Sequence, residues 1–414
     1  MSLHILYYDL LKGYYKGTAS THVHEILTNL VKHGQNVLLY ESNPHSPWYR
    51  HVEKRDPKPG LGNRLAEAVP SLGIFLSFLG EARTFFKGII ALKKVNQKPD
   101  LVYYRHSLFN SGYWLARWLK VAAIKEVNGI LAHEMKVTGS VRYLPLKIID
   151  RIERYSFPKA DKIIVVTTRL KETLTKAYEV PEDKVVVLEN GANTDLFKPV
   201  NNEKLKEKLS LEQDSNYICF CGNFVAWQGL EVLLRCMPLV LKECPSACLL
   251  LVGDGELKNK LFEIAKEINI LDKIVFTGLV PHEKVHCYIN ASDVCAAPFV
   301  SERNEQSGVS PLKLCEYMAC GKPVVASRIS GLEAIEEYKT GILIKPDAPV
   351  ELAKAIITLL KNPHLRKKMG LKGRLYVIEN RSWESIAMKT IDTFKETVED
   401  IRKKKMRAQL EETT

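Results

Sequence analysis

Apolar and polar positions along this chain alternate between two rhythms. In the first half, short apolar runs read as buried strands: "LHILYY", "QNVLLY", "DLVYY", "AIKEVN" and "KIIVVT". Between the first two, Val23, Ile26, Leu27, Leu30 and Val31 share one face of a helix that Gly34 ends. The second half repeats the scheme with "YICFCG", "ACLLLVGDG", "KIVFTG", "DVCAAPF", "KPVVAS" and "GILIKP". Strands alternating with helices predict parallel sheets covered on both faces. Ligands of such sheets gather beyond the carboxyl ends of the strands. The segment "ENGANTDLFKPVNNEKLKEKL", with Gly191, Pro199 and a shift to high charge, marks a domain boundary near Pro199.

Length and charge narrow the picture. A chain of 414 residues, 46% hydrophobic, is long enough for two cores. A net charge of +12 and a pI near 9.1 favour anionic partners, whether a nucleotide, a phosphorylated substrate, a membrane surface or nucleic acid; a merely soluble basic surface is the plain alternative. Neither an aromatic-rich RNA motif nor a clustered basic helix accompanies the charge, so nucleic acid is not expected. The nine cysteines all lie between Cys219 and Cys320, form no C-x-x-C pair and mostly sit in apolar runs. That pattern fits buried free thiols in a reducing compartment. "MSLHILYYDLLKG" lacks the basic start and cleavage site of a signal peptide, and the apolar stretch from Ala68 to Gly80 is too short to span a bilayer. A cytoplasmic protein is expected.

The candidate chemistry centres on "SGVSPLKLCEYMACGKPVVAS", Ser307 to Ser327. Ser310 suits an N-cap, Pro311 a first helical residue and Gly321 a stop, which predicts a helix from Pro311 to Cys320. Leu312, Leu314, Cys315, Met318 and Ala319 fill one arc of it; Lys313, Glu316 and Cys320 fall on the other side. A lysine in the first turn opposes the helix dipole, which makes sense if an anion such as a diphosphate binds there. Glu316, one turn deeper, can accept hydrogen bonds from a ribose diol. The competing reading is an i,i+3 ion pair on a wet face, worth only ~0.2–0.5 kcal/mol.

Around that stretch, "EYMACGKPVVA" with "SPLKLCEYMA" resembles the most diagnostic segment of retaining glycosyltransferase family 4, in a branch with a Pro-x-Lys before it. "ENGANTDLFKP", "FCGNFVAWQGLEVLL", "LLLVGDGELKNKL", "IVFTGLVPHEKV", "YINASDVCAAPF" and "GLEAIEEYKTGILIKP" resemble the family's motifs in order. "KADKIIVVTTRLKETL" and "EVNGILAHE" fit its first domain, and "RSWESIA" its last helix. The resemblance implies the GT-B fold: α/β, two Rossmann-like domains with parallel sheets facing a central cleft. The expected division is an acceptor-binding domain at 1–198, a nucleotide-sugar-binding domain at 199–375, a helix crossing back at 376–400 and a charged, frayed tail at 401–414.

The implied activity is transfer of a sugar from a UDP- or GDP-sugar to an acceptor hydroxyl with retention, in glycan, glycolipid or cell-envelope polysaccharide synthesis. No cofactor is implied. Lys313 would hold the diphosphate, Glu316 the ribose and the backbone near Leu279 and Val280 the base, with Gly222 and Gly331 at the surrounding loops. The first domain would supply His106, Asn128 and Glu134 near the reacting carbon and Gly17, Thr18 and His22 toward the acceptor. The chain departs from the family pattern in four places. Gly308 stands where an earlier glutamate belongs, leaving Glu302 or Glu305 as substitutes. Asn223 and Gln228, with Trp227 beside them, replace a basic pair, so more weight falls on Lys313, with help from Arg303. Asn128 replaces the first domain's histidine. These departures motivate the alternative of a non-catalytic nucleotide-sugar-binding subunit.

Other signals weigh less. "HEKVH" (His282 to His286) has zinc-protease spacing, but it lies on a short helix between two strands, where such a metal site needs a long buried one. No D-x-D occurs, and no metal is expected. "VGDGE" is not a dinucleotide fingerprint. His22 and His24, two apart, point to different sides of their helix. The stretch from Pro70 to Val95 mixes Phe and Leu with Lys and Arg. It reads either as an amphipathic contact to a membrane surface or lipid-linked acceptor, at the inner face of the membrane, or as packing on the first domain's sheet.

Overall fold

The structure, a computed structural model, describes residues 2–9, 18–41, 82, 85–86, 89–90, 98–137, 143–301, 304 and 308–413. Residues Met1–Leu188 together with Ala387–Thr414 form one compact unit, and Glu189–Ile386 the other.

In the first unit β1 (His4–Asp9), β2 (Asn36–Glu41), β3 (Leu101–Arg105), β4 (Ala122–Val127), β5 (Lys162–Val165) and β6 (Val185–Val187) pair in parallel in the order β2-β1-β3-β4-β5-β6. The helices are α1 (Thr18–Lys32), α2 (Ser111–Leu119), α3 (Leu131–Val137), α4 (Tyr143–Ser156) and α5 (Thr168–Ala177). A parallel sheet is buried on both faces, so its strands read as continuous apolar runs. The predicted strands all form, and β6, three valines long, is the one the pattern does not single out. The buried arc of α1 is rotated from the expected one. Ile26 and Leu30 are buried, Val31 is 55% exposed, and Glu25 and Asn29 turn inward instead. Asn29 meets its own polarity by donating Nδ2 to the Glu25 carbonyl at 2.8 Å. Most of the Pro70–Val95 segment lies outside the described residues; Phe85 and Ile89 pack on the unit's core.

In the second unit β7 (Asn216–Cys221), β8 (Ala247–Val252), β9 (Ile274–Gly278), β10 (Val294–Ala297), β11 (Val324–Ser327) and β12 (Gly341–Ile344) pair in the order β12-β11-β10-β7-β8-β9. The helices are α6 (Asn202–Lys208), α7 (Leu230–Glu243), α8 (Lys258–Glu267), α9 (His282–Ala291), α10 (Leu312–Ala319), α11 (Ala334–Glu337), α12 (Pro349–Lys361) and α13 (Pro363–Asn380). Counted within the unit, this is the 3-2-1-4-5-6 order of nucleotide-binding sheets. Its switch point falls between β7 and β10, whose neighbours lead off in opposite directions. All nine cysteines are free thiols.

The last helix, α14 (Trp383–Thr413), belongs to the first unit from Ala387 onward, where Phe394 lies 5.1 Å from the ring of Tyr103. The tail that composition reads as frayed is helical through Thr413. Arg402 pairs with Asp100 at 2.8 Å, and Lys405 Nζ donates to the Lys120 carbonyl at 2.7 Å, anchoring it.

Candidate functional site

In the second unit the site grows around α10. The helix begins one residue later than predicted. Pro311, in an extended conformation, occupies the N-cap position without a side-chain cap. Ser310 is occupied elsewhere: its hydroxyl accepts from Asn190 N at 2.9 Å, and its carbonyl from Asn190 Nδ2 at 2.7 Å. The residue before a proline is pushed out of the helical region, so Ser310 serves the loop, and among the described residues no side chain caps the start of α10. At the far end Gly321, at φ +71°, closes the helix. Gly321 N donates to Met318 O (2.9 Å) and Lys322 N to Tyr317 O (3.0 Å), the paired bonds of a left-handed stop. Tyr317 ties the helix under the sheet by accepting from Cys221 N at 2.7 Å.

Lys313 is the half-buried residue of this helix. Leu312 and every residue from Leu314 to Ala319 are buried, Glu316 among them. Cys320, expected on the polar side, is 1% exposed. Lys313 Nζ sits 3.8 Å from the centre of the Phe220 ring and 5.8 Å from that of Phe299. Those two rings stand at and just beyond the ends of β7 and β10, at the switch point. The ammonium donates to Gln228 Oε1 at 2.8 Å. Burial pushes Lys313 down to about 7 from the ordinary 10.5. Gly222, at φ +141°, leaves room for it: a Cβ there would stand 2.7 Å from Nζ. Glu316 Oε1 lies 2.6 Å from His282 Nε2, whose ring stacks 5.2 Å from Phe197. Lysine and glutamate are thus held by separate partners.

Of the other expected positions, Gln228 and Gly222 meet Lys313 directly. Asn223 is exposed and Gln228 half-buried after β7. Leu279, 78% exposed, and half-buried Val280 follow β9, and Gly308 and Gly331 adopt φ +66° and +100°. Glu302, Arg303 and Glu305 lie outside the described residues. In "HEKVH", His282 serves Glu316 while His286 approaches the Cys287 thiol at 3.7 Å. Among the described residues no three His, Cys, Asp or Glu side chains are grouped to hold a metal. A His282→Phe variant keeps the stacking on Phe197 and loses the bond to Glu316. Nucleotide affinity measured by titration calorimetry is expected to fall roughly three- to tenfold, the worth of about one ordinary hydrogen bond.

In the first unit two buried carboxylates organise the carboxyl ends of β3 and β4. Glu126, 1% exposed, accepts from Asn128 Nδ2 at 2.7 Å and from the Tyr103 hydroxyl, and lies 3.2 Å from His22 Nε2 and 3.4 Å from Arg105 Nε. Burial alone would raise its carboxyl. The charges of His22 and Arg105 and the hydrogen bonds of His22 and Tyr103 outweigh it and hold the group well below the ordinary carboxylate range. Glu153 accepts from Leu131 N (2.8 Å) and Ala132 N (3.0 Å), filling the first turn of α3, and lies 2.9 Å from His106 Nε2. Burial lowers the His106 pKa. Beside them Lys125, fully buried, donates to Ser156 O at 3.0 Å and is pushed by burial to about 7. Glu134 is half-buried on α3 with its carboxylate against Gly129, where a Cβ would meet Oε1 at 2.2 Å. Thr18 opens α1, and Gly17 lies outside the described residues.

The sequence reading did not single out Glu126, Glu153, Arg105 or His282 as site residues. Lys125 and Glu126 were visible as two charges inside an apolar strand, where burial demands partners.

Two family models cover almost the whole chain: one described as Glycosyltransferase Family 4 over residues 19–196, the other as Glycosyl transferases group 1 over residues 201–376. A Methanocaldococcus jannaschii glycosyltransferase, MJ1607, is 30% identical over 279 residues, 66% of this chain and 70% of that protein. Among solved structures, the sucrose-phosphate synthase of Thermosynechococcus elongatus superposes with a TM-score of 0.74 at 21% identity over 95% of this chain and 98% of that one. Anabaena Alr3699/HepE in complex with UDP-glucose gives 0.67 at 16% identity over 95% and 100%. The chain belongs to the glycosyltransferases. It is an enzyme with the GT-B fold, two Rossmann-like α/β domains, each on a six-stranded parallel sheet.

Proposed function

We propose that the enzyme moves a sugar from a UDP- or GDP-sugar to an acceptor hydroxyl with retention of configuration, in glycan, glycolipid or cell-envelope polysaccharide synthesis. The observation that carries this reading is the Lys313–Glu316 arrangement: a half-buried cation and a buried carboxylate, one turn apart, at the switch point of a nucleotide-binding sheet. The fold neighbour in complex with UDP-glucose supports a uridine nucleotide in particular.

In this reading the second unit takes the donor. Lys313 and the uncapped N–H groups of α10 meet the diphosphate. As the glycosidic bond breaks, negative charge builds on that leaving group, and preplaced donors in a dry site stabilise it. Glu316 accepts from the ribose diol, the backbone at Leu279 and Val280 meets the base, and Asn223, Gln228, Gly308, Gly222 and Gly331 border the phosphates and sugar. The first unit takes the acceptor near Gly17, Thr18 and His22. Asn128 stands at the reacting groups, with His106 and Glu134 setting the loop that carries it. No cofactor enters the scheme. The acceptor is proposed to be lipid-linked and met at the inner face of the membrane by the basic chain. Among the described residues no helix is long and apolar enough to cross a bilayer.

The test is a thermal-shift screen of nucleotide sugars followed by turnover, since a ligand of the native state alone raises its apparent stability. UDP- or GDP-sugars are expected to shift the melting curve, and Glu316→Ala to weaken donor affinity at least tenfold. Unchanged affinity in that variant removes Glu316 from the donor site.

A further inference from the structure

Glu126 lies inside the sheet with no route to act on a substrate directly, yet it gathers side chains from α1, β3 and the loop after β4. Its Oε1 receives Asn128 Nδ2 at 2.7 Å, with His22 Nε2 at 3.2 Å and Arg105 Nε at 3.4 Å; its Oε2 receives the Tyr103 hydroxyl. An ionised carboxylate beside a guanidinium can only accept hydrogen bonds. An asparagine amide offers donors on one end and an acceptor on the other. Asn128 must therefore turn its NH2 toward Glu126, which leaves Oδ1 as the group it presents elsewhere. Among the described residues no donor reaches that oxygen, although it is shielded from solvent. A shielded acceptor without a donor is costly, and a substrate hydroxyl is the kind of group that removes the cost.

We infer that Glu126 is a positioning residue of the transfer reaction: it fixes the amide of Asn128 so that Oδ1 accepts a hydrogen bond from a sugar or acceptor hydroxyl. This rests on the proposed function, in which Asn128 stands at the reacting groups. It goes beyond it by assigning the amide's orientation, the direction of its hydrogen bond and the group that enforces both.

The test is a swap of the two side-chain chemistries. Asn128→Asp sets a second carboxylate against Glu126, and kcat is expected to fall at least 100-fold with a smaller change in donor KM. Adding Glu126→Gln supplies an N–H to the new carboxylate, which again presents an acceptor outward. The double variant should recover at least tenfold over Asn128→Asp, although Glu126→Gln alone lowers activity. Thermal unfolding of all four proteins separates folding from chemistry. A double variant that regains stability but not kcat makes Glu126 purely structural and overturns the inference. So does an Asn128→Asp enzyme within threefold of wild type. Wild-type protein that turns over no nucleotide sugar sinks the proposed function itself, whereas wild-type turnover without rescue sinks only the positioning role.

Discussion

Replacing Lys313 with methionine is expected to stabilise the protein and to abolish its hold on the donor. The lysine is held near 7 by burial, against 10.5 for an exposed one. Between those values the unfolded chain binds more protons than the folded one, so wild-type stability rises with pH across that window. Below about pH 7 the folded state carries the full cost of a buried ammonium; above about 10.5 it carries none. Methionine fills the space between Phe220 and Phe299 without a charge. The variant should therefore gain roughly 1–3 kcal/mol at pH 6.5, after allowance for the lost ring and Gln228 contacts, and progressively less toward pH 10. At ~2–4 °C per kcal/mol for a unit of this size, melting curves at pH 6.5 and 9.5 resolve the difference. Donor kcat/KM should fall at least 100-fold, because a diphosphate meets no cation there. A variant that melts below wild type at pH 6.5 refutes the argument. The same poise predicts that nucleotide binding at pH 8 draws a proton from the buffer, visible as a binding enthalpy that depends on the buffer's ionisation heat.

Arg374→Ala carries the largest expected loss of stability. From α13 its NH1 donates to the carbonyls of Thr194 (3.1 Å), Phe197 (2.6 Å) and Ala319 (2.9 Å), and its NH2 again to Thr194 (3.1 Å). One planar group thus satisfies the turn before α6 and the last residue of α10. Alanine strands three carbonyls and opens a void, at a cost of about 3 kcal/mol or more. Unfolding by urea should show the second unit's midpoint lowered by the equivalent of that free energy divided by the m-value. Arg374→Lys, with three donors on one atom in place of a fork, should fall between. Because Ala319 ends the helix that carries Lys313 and Glu316, donor affinity should drop alongside stability. A midpoint within error of wild type removes Arg374 from the frame of the site.

The fold was legible because parallel strands covered on both faces leave an unambiguous signature. β7 to β12 are apolar runs separated by helical patterns, and each formed where the pattern put it. β6 escaped because three valines are too few to show a period. The candidate site was half legible as a local arrangement. Lys313 and Glu316 stood out on an otherwise apolar helix, yet spacing alone favoured a surface ion pair, since position on a helix says nothing of what covers it. Phe220 of β7 and Phe299 beyond β10 cover Lys313, and His282 of α9 meets Glu316, all from outside the helix. Ser310 misled for a related reason: a good capping residue caps only if nothing distant claims it, and Asn190 does. His282 was weighed as a metal ligand because its spacing with His286 fitted one, whereas its partner is a carboxylate 34 residues away. Glu126 and Glu153 show where such reasoning stops. The charge of Glu126 inside an apolar strand was readable; its four partners, and the three of Glu153, come from elements that only the tertiary fold brings together.

The continuous run of α14 across Ile386 and Ala387 bears on the order in which the chain matures. The second unit is a single uninterrupted segment, complete once Ile386 has been made. The first unit, although its sheet comes from the amino-terminal half, lacks Ile391, Phe394 and Val398 until after the second unit has been made. Domains generally fold as units as they emerge from the ribosome. Here the later-born one finishes first, and the earlier waits with Tyr103 uncovered for its last helix. A released chain truncated after residue 386 should accordingly resist protease in its second half and be cut in its first.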